Sequence, residues 1–191
     1  ESRLEDKRER GLASAIRKSS QRMGALIEDV LDFARGRLGG GIPVRRTQVD
    51  DLQDVFISVI AEVQASDPDV QLEHRFAIQS GIYCDSTRIG QLLSNLLGNA
   101  VTHGTRRSPI KIMADTEGDD FVLSVTNHGA CIPAALMPLL FQPFKRSDGG
   151  QRGEGLGLGL YIASQIIEGH GGTLSVTSSP DQGTCFVARF P

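Results

Sequence analysis

The sequence predicts an α+β protein in which one long N-terminal helix precedes a two-layer sandwich, a mixed β-sheet with helices packed on one face. Two observations favour this architecture. Residues 2–37 contain no proline and carry apolar residues at helical spacing, whereas residues 44–191 alternate between helical stretches and paired strands. The 191 residues suffice for one ordinary domain with an appendage. We therefore assign residues 1–38 to the helix, 39–43 to a glycine-rich linker and 44–191 to the domain.

The composition excludes several classes of protein. The net charge is −3 and charges of both signs are interspersed, so nothing predicts a nucleic-acid surface. The three cysteines are far apart and lack metal-ligand spacing, which indicates free thiols in a reducing compartment, the cytoplasm. No apolar run approaches the roughly 18 residues of a membrane span, and the chain begins with Glu1 instead of methionine. We expect a soluble piece of a longer protein, which as a whole is either membrane-anchored or soluble.

Apolar residues in the N-terminal helix form one stripe with steps of three, four and seven. A helix of this length has no partner within itself. We expect it to pack in a bundle or coiled coil, between the subunits of a homodimer. The alternative is a helix that folds back on its own domain. The stripe contains Leu12, Ile16, Met23, Ile27, Val30 and Ala34.

Residues 44–191 have the pattern of four helices, a hairpin and several further strands. Asp50 or Asp51 caps a helix that runs to about Ala65, and Asp85 begins a second that runs to about His103. A short helix and, after a glycine loop, a longer one follow. The short helix is predicted over Pro133–Leu140, and strands over Val44–Val49 (an edge strand), Val70–Ile78, Gly81–Cys84, Ile110–Ala114, Phe121–Thr126, Thr173–Ser178 and Thr184–Phe190.

Two asparagines interrupt the leucine-rich helix that begins at Asp85. Asn95 and Asn99 lie four residues apart, hence one above the other on one face, and His103 lies four further on. Asparagine is a poor helix former and costly to bury unpaired. Either asparagine alone could simply bind neighbouring backbone. The stacked set favours a ligand site, where amide oxygens can coordinate a hard cation such as Mg²⁺.

A glycine loop leads directly into another helix. Four glycines alternate with other residues in the segment 153–160, and apolar residues at helical spacing follow. The free N–H groups and dipole of a helix N-terminus attract phosphate, and glycine lets the backbone approach closely. The preceding polar residues, 145–152, read as a mobile loop that could close over a nucleotide. An ordinary flexible surface loop is the alternative.

Taken in chain order, these pieces resemble the catalytic, ATP-binding part of a bacterial two-component sensor histidine kinase. This family belongs to the superfamily shared with DNA gyrase, the heat-shock chaperone ATPases and MutL, and the implied fold is the Bergerat-type ATP-binding sandwich. Residues 2–37 resemble the second helix of the dimerisation and phosphoacceptor domain, and residues 44–191 resemble the whole ATP-binding domain. The motifs are an asparagine box at 91–100, glycine boxes at 127–132, 153–160 and 183–184, and a phenylalanine box at 141–144.

The resemblance implies a role for each box, with ATP and Mg²⁺ as the ligands. Asn99 would coordinate Mg²⁺, and Asn95, Thr102 and His103 would lie near the phosphates. The nucleotide base would be held at Asn127, Gly129 and Ile132, with Thr184 holding adenine through water. Further nucleotide contacts are implied for Phe144, Lys145, Arg146, Gly153, Gly155, Leu156, Gly157, Leu158, Gly159 and Leu160.

Three features depart from the family or refine the resemblance. The superfamily's ATPases have a glutamate as general base where this chain has Asn95, which cannot take a proton, and this favours a kinase over a hydrolase. Asn127 replaces the usual aspartate that accepts from the adenine amino group, so we expect weaker nucleotide binding. Cys131 replaces a glycine, and we expect a small buried residue there.

The phosphoacceptor is missing, because no histidine of this chain stands in a long amphipathic helix followed by an acidic residue. The resemblance therefore implies transfer of the ATP γ-phosphoryl to a histidine on a helix outside this chain, and then to an aspartate of a response regulator. One alternative is a degenerate kinase that signals by dimerisation alone. A less favoured one is an ATP-hydrolysing member of the superfamily.

Overall fold

The computed structural model describes residues 16, 19–20, 23–37, 41–78, 81–145 and 156–191. Within these residues an N-terminal helix, α1 (23–35), precedes three further helices and seven strands. Their bounds are β1 (Thr47–Val49), α2 (Leu52–Ser66), β2 (Leu72–Ala77), β3 (Ile82–Cys84), α3 (Ser86–His103), β4 (Ile110–Glu117), β5 (Asp120–Asn127), α4 (Gly159–Gly169), β6 (Thr173–Ser179) and β7 (Gly183–Phe190).

Five of the strands form one mixed sheet in the order β2-β4-β5-β7-β6. Strands β2 and β4 are parallel, and the other neighbours are antiparallel. Helices cover one face of the sheet, which confirms the predicted α+β sandwich. Alternation explains this arrangement: every second residue of β5 faces the helices and is buried, and α3 presents an apolar stripe in return. Fully buried leucines of that stripe are Leu92, Leu93, Leu96 and Leu97.

Two predicted elements differ from the structure. The strand expected as an edge over Val44–Val49 is β1, which leaves the main sheet and pairs antiparallel with β3. The short helix expected over Pro133–Leu140 is only a 3-10 helix at Met137–Leu139. Pro138 explains the second difference, because it lacks the N–H that an α-helix needs at this position and its ring clashes with the preceding turn.

The C-terminal end of α1 packs on the α/β domain. Asp32, only 3% exposed, accepts hydrogen bonds from Arg88 Nη1 at 2.7 Å and Gln91 Nε2 at 2.9 Å, both on α3. The Phe33 ring lies edge-on to Phe144 and Tyr161, with ring centroids 4.8 and 5.8 Å apart. The apolar residues farther toward the N-terminus remain exposed, namely Ile16, Met23, Ile27 and Val30. The last turns therefore contact the domain of their own chain, while the face expected to enter a bundle is uncovered.

The linker between α1 and the domain is partly built into the core. Ile42 is 3% exposed and packs with the other core residues, and Gly41 has a positive φ of 66°. Residues 38–40 lie outside the described residues. The assignment of 39–43 as a boundary remains a prediction.

A buried histidine joins the end of α4 to the start of α3. His170 Nδ1 donates to the Ile166 carbonyl at 2.7 Å, and Nε2 accepts from the Asp85 N–H at 3.0 Å. These two bonds require the neutral ring with its proton on Nδ1. Burial lowers the pKa of His170 below its usual 6.5, against the opposing effect of the Ile166 hydrogen bond. The ring therefore fixes two helix ends only while it is uncharged.

We expect the free energy of unfolding to fall as the pH drops below about 6.5, where the unfolded chain takes up a proton that folded His170 resists. The contribution of His170 to the free energy of unfolding is fully present above that pH. Below it, this contribution falls by at most about 1.4 kcal/mol per pH unit. His170→Gln can keep both hydrogen bonds without titrating. Urea unfolding between pH 5 and 8 should show a weaker pH dependence for the variant, and equal slopes would contradict the assignment.

Candidate functional site

The asparagine stripe predicted on α3 is present and faces the start of α4. Asn95 and Asn99 are both half-buried, and Thr102 and His103 continue the stripe as exposed residues. The Thr102 hydroxyl donates to the Gly98 carbonyl at 2.8 Å. Among the described residues, the buried Asn95 Nδ2 has no hydrogen-bond partner. Such an orphaned donor is costly inside a protein and is a place where a further hydrogen-bond partner could be accommodated.

The N-terminus of α4 lies directly beside Asn95. A Cβ added to Gly159 would be 3.5 Å from Asn95 Oδ1, so the second glycine box and the asparagine box meet here. Leu158 occupies the N-cap position without a side-chain capping bond, and Gly157 has a positive φ of 70°. The first N–H groups of α4 are thus left without a side-chain cap. Their partial positive charge suits phosphate oxygens.

A row of three polar side chains crosses the sheet where β5 ends. Asn127 on β5 pairs in register with Thr184 on β7, and Thr184 pairs with Ser178 on β6. The next row on the same face of the sheet is apolar and consists of Val125, Phe186 and Val176. Asn127 and Thr184 are only 3% and 6% exposed. The polar row therefore terminates the hydrophobic core at the place where the resemblance puts the nucleotide base.

Glycines allow the loop after β5 to approach both α3 and β7. A Cβ at Gly129 would clash with the carbonyl oxygen of His103, the last residue of α3. The Thr105 N–H donates to the His128 carbonyl at 2.6 Å. Gly183 has φ 76°, and a Cβ there would clash with the Asn127 carbonyl oxygen. These contacts hold the end of α3 close to the loop after β5 (residues 128–132), which we call the base loop.

Ser178 also lies at this candidate site, although no pattern in the sequence indicates it. Its Oγ accepts from the Ile132 N–H at 3.0 Å and lies 2.8 Å from Thr184 Oγ1. Ser178 thus ties the base loop to the threonine expected to hold adenine. The alternation along β6 puts Ser178 on the helix-facing side with Val176, but only the strand register puts it opposite Thr184. The expectation for Cys131 is wrong: this residue is exposed, with Sγ 3.6 Å from the Ser178 carbonyl oxygen.

The phenylalanine box ends in an unusual backbone conformation. Phe144 has a positive φ of 61°, which is rare for an aromatic residue, and its N–H donates to the Gly157 carbonyl at 3.0 Å. This bond brings the phenylalanine box and the second glycine box together. Lys145 and Leu156 are exposed, Leu160 is half-buried and Leu158 is buried. Arg146, Gly153 and Gly155 lie outside the described residues, so their predicted phosphate contacts stay predictions.

The side chains of this site suit a Mg²⁺ ion that takes most of its coordinating oxygens from a bound nucleotide and water, and few from the protein. Within the described residues, no group of three or more His, Cys, Asp or Glu side chains could hold a metal. Mg²⁺ bound with nucleotides commonly keeps waters and takes phosphate oxygens, so that one or two protein oxygens suffice. The Asn99 amide oxygen on the half-buried stripe can supply one of these.

In the part of the chain that the structure describes, no helix is both long and apolar enough to cross a bilayer.

Comparisons with known proteins agree with this geometry. The family model described as histidine kinase-, DNA gyrase B-, and HSP90-like ATPase matches residues 84–191. A bacteriophytochrome of Pseudomonas aeruginosa is 32% identical over 97% of this chain and 26% of its own length. The probable sensor histidine kinase TcrY of Mycobacterium tuberculosis is also 32% identical, over 93% of this chain and 37% of its own length.

Solved structures give the same result. Full-length ShkA, crystallised in complex with AMPPNP, superposes with a TM-score of 0.75 at 26% identity, over 95% of this chain and 38% of that one. The chain thus spans about a quarter to two fifths of the length of these three proteins. Since the family model covers more than half of the chain, the protein belongs to the family of histidine kinase-, DNA gyrase B- and HSP90-like ATPases.

Proposed function

We propose that this chain is the catalytic part of a sensor histidine kinase and transfers the γ-phosphoryl group of Mg·ATP to a histidine on a separate helix. One observation carries the proposal. Asn95, with its orphaned amide nitrogen, lies near the middle of α3 beside the α4 N-terminus, and the buried, polar row that contains Asn127 meets the C-terminal end of α3. Phosphate and base sites are therefore joined by a single helix. This arrangement supports binding of a nucleoside triphosphate across α3.

The residues present support phosphoryl transfer rather than hydrolysis. Bound Mg²⁺ would neutralise charge on the phosphates, with Asn99 as its protein ligand. In the transfer, a histidine nitrogen attacks the γ-phosphorus, the bond from that phosphorus to the bridging oxygen of ADP breaks, and the imidazole loses a proton to solvent. The Asn95 amide cannot act as a general base toward water. Catalysis would rest on positioning and on the α4 N–H groups.

Partners beyond the nucleotide are part of the proposal. We propose a homodimer through α1 because its exposed residues Met23, Ile27 and Val30 have the spacing of a bundle face. The other partners are the helix that carries the phosphoacceptor histidine and the receiver domain of a response regulator. A cytoplasmic location follows from the need for ATP and agrees with three free thiols. Sedimentation of a longer chain that contains both bundle helices would test the dimer.

The decisive experiment has two stages. Calorimetric titration with ADP and a nonhydrolysable ATP analogue, with and without Mg²⁺, should show Mg²⁺-dependent binding. The protein should then convert ATP and a partner polypeptide bearing the acceptor helix into ADP and an acid-labile phosphohistidine. Absence of nucleotide binding would instead support a degenerate signalling module. Steady ADP release without any acceptor would support a hydrolase.

A further inference from the structure

The side chain of Asn127 can offer a base either a hydrogen-bond donor or an acceptor. It is 3% exposed and stands on the helix-facing side at the end of β5. Among the described residues, no hydrogen bond to its amide group is found. An amide carries an acceptor oxygen and a donor nitrogen, and a rotation of 180° exchanges them. Because no described partner fixes this rotation, a bound base can select it.

The neighbouring hydroxyl pair is reversible in the same way. Thr184 Oγ1 and Ser178 Oγ are 2.8 Å apart, and either one can be the donor. If Ser178 donates, the Thr184 proton is free to point at a ligand or a bridging water. If Thr184 donates, Ser178 can direct its own proton to Cys131 Sγ, 3.6 Å away, and Thr184 then offers only lone pairs. Asn127 and Thr184 can therefore each offer a ligand either a hydrogen-bond donor or an acceptor.

Adenine and guanine differ in the donors and acceptors that they carry at the edge formed by N1 and the substituent on C6. Adenine offers an amino donor beside the N1 acceptor, whereas guanine offers the O6 acceptor beside the N1–H donor. A carboxylate at position 127 would only accept, so it would suit the adenine amino group and repel guanine O6. We propose that the base site of this chain binds guanine nucleotides as well as adenine nucleotides. The proposal rests on the nucleotide site proposed above and extends its substrate class.

The test is a set of calorimetric titrations with Mg·ADP, Mg·GDP and Mg·CDP. For the unmodified protein we expect dissociation constants for ADP and GDP within about tenfold of each other, and much weaker binding of CDP. Asn127→Asp should retain affinity for ADP and weaken the binding of GDP by about 100-fold or more, because the carboxylate would face guanine O6 without a hydrogen-bond donor. A thermal melt of each variant shows whether it is folded. If the aspartate variant fails to fold, the ratio of the ADP and GDP dissociation constants of the unmodified protein still tests the proposal.

Thr177→Asp is the matched control, because it adds the same charge at an exposed position of β6 next to Ser178 but on the opposite face. It should not change the ratio of ADP to GDP affinity. Binding of ADP with GDP weaker by more than about tenfold would overturn the inference and leave the proposed function intact. Equal binding of all three diphosphates would also overturn it, since affinity would then come from the phosphates alone. Failure to bind any nucleotide would overturn both proposals.

Discussion

Replacement of Asn99 by alanine is expected to lower the affinity for Mg·ADP by about 100-fold or more, with little change in Mg²⁺-free binding. In the proposed site Asn99 supplies the protein oxygen for the ion, and within the described residues no group of three or more His, Cys, Asp or Glu side chains could hold it instead. Alanine also removes a poor helix former from α3, so the fold should remain stable. Titrations with and without Mg²⁺ would measure both effects in one preparation.

Two further variants sharpen this test. Asn99→Asp keeps an oxygen ligand and should retain part of the Mg²⁺ dependence. Ser94→Ala, on an exposed part of the same helix, should bind Mg·ADP as the unmodified protein does. If Asn99→Ala preserved the full gain in affinity from Mg²⁺, the ion would have to be held elsewhere and the assignment of Asn99 would be wrong.

Alanine at Gly129 should have the second large effect, a loss of nucleotide affinity of about 100-fold, because displacements of about 1 Å in a binding site have effects of this size. The added Cβ would clash with the His103 carbonyl oxygen, which is backbone and cannot turn aside. The base loop would have to move away from α3, and Asn127 would move with it. We also expect a decrease of about 1–3 kcal/mol in the free energy of unfolding, as for other overpacked sites.

Gly24 provides the matched control for this substitution. It lies in α1, and a Cβ there would meet no atom within 4 Å. Gly24→Ala should therefore leave nucleotide affinity unchanged and stabilise the helix by up to about 1 kcal/mol. Titration and urea unfolding of both variants would separate the clash at Gly129 from a general effect of alanine. Wild-type affinity in Gly129→Ala would show that the loop does not position the base.

The elements of this protein were largely predictable because their signals are local. The apolar stripe of α3 and the alternation of β5 each arise within one segment, so periodicity alone located both. The stacked pair Asn95 and Asn99 was found for the same reason, since helical spacing puts residues four apart on one face. The error at Pro133–Leu140 also has a local cause: the apolar pattern favours an α-helix, whereas Pro138 lacks the N–H that such a helix needs.

The order of helices and strands and the α+β class follow from the sequence alone, and so does the proposal of a phosphate site on α3, because short-range spacing is sufficient for each of them. The row of polar side chains at the proposed base site, in contrast, becomes apparent only in the tertiary structure. The row Asn127–Thr184–Ser178 depends on the register of three strands, and a slip of one residue would turn each side chain to the other face. Likewise, Asp32 meets Arg88 from 56 residues away, through packing between two helices. Such contacts are set by the summed packing of the whole core, which no local pattern records.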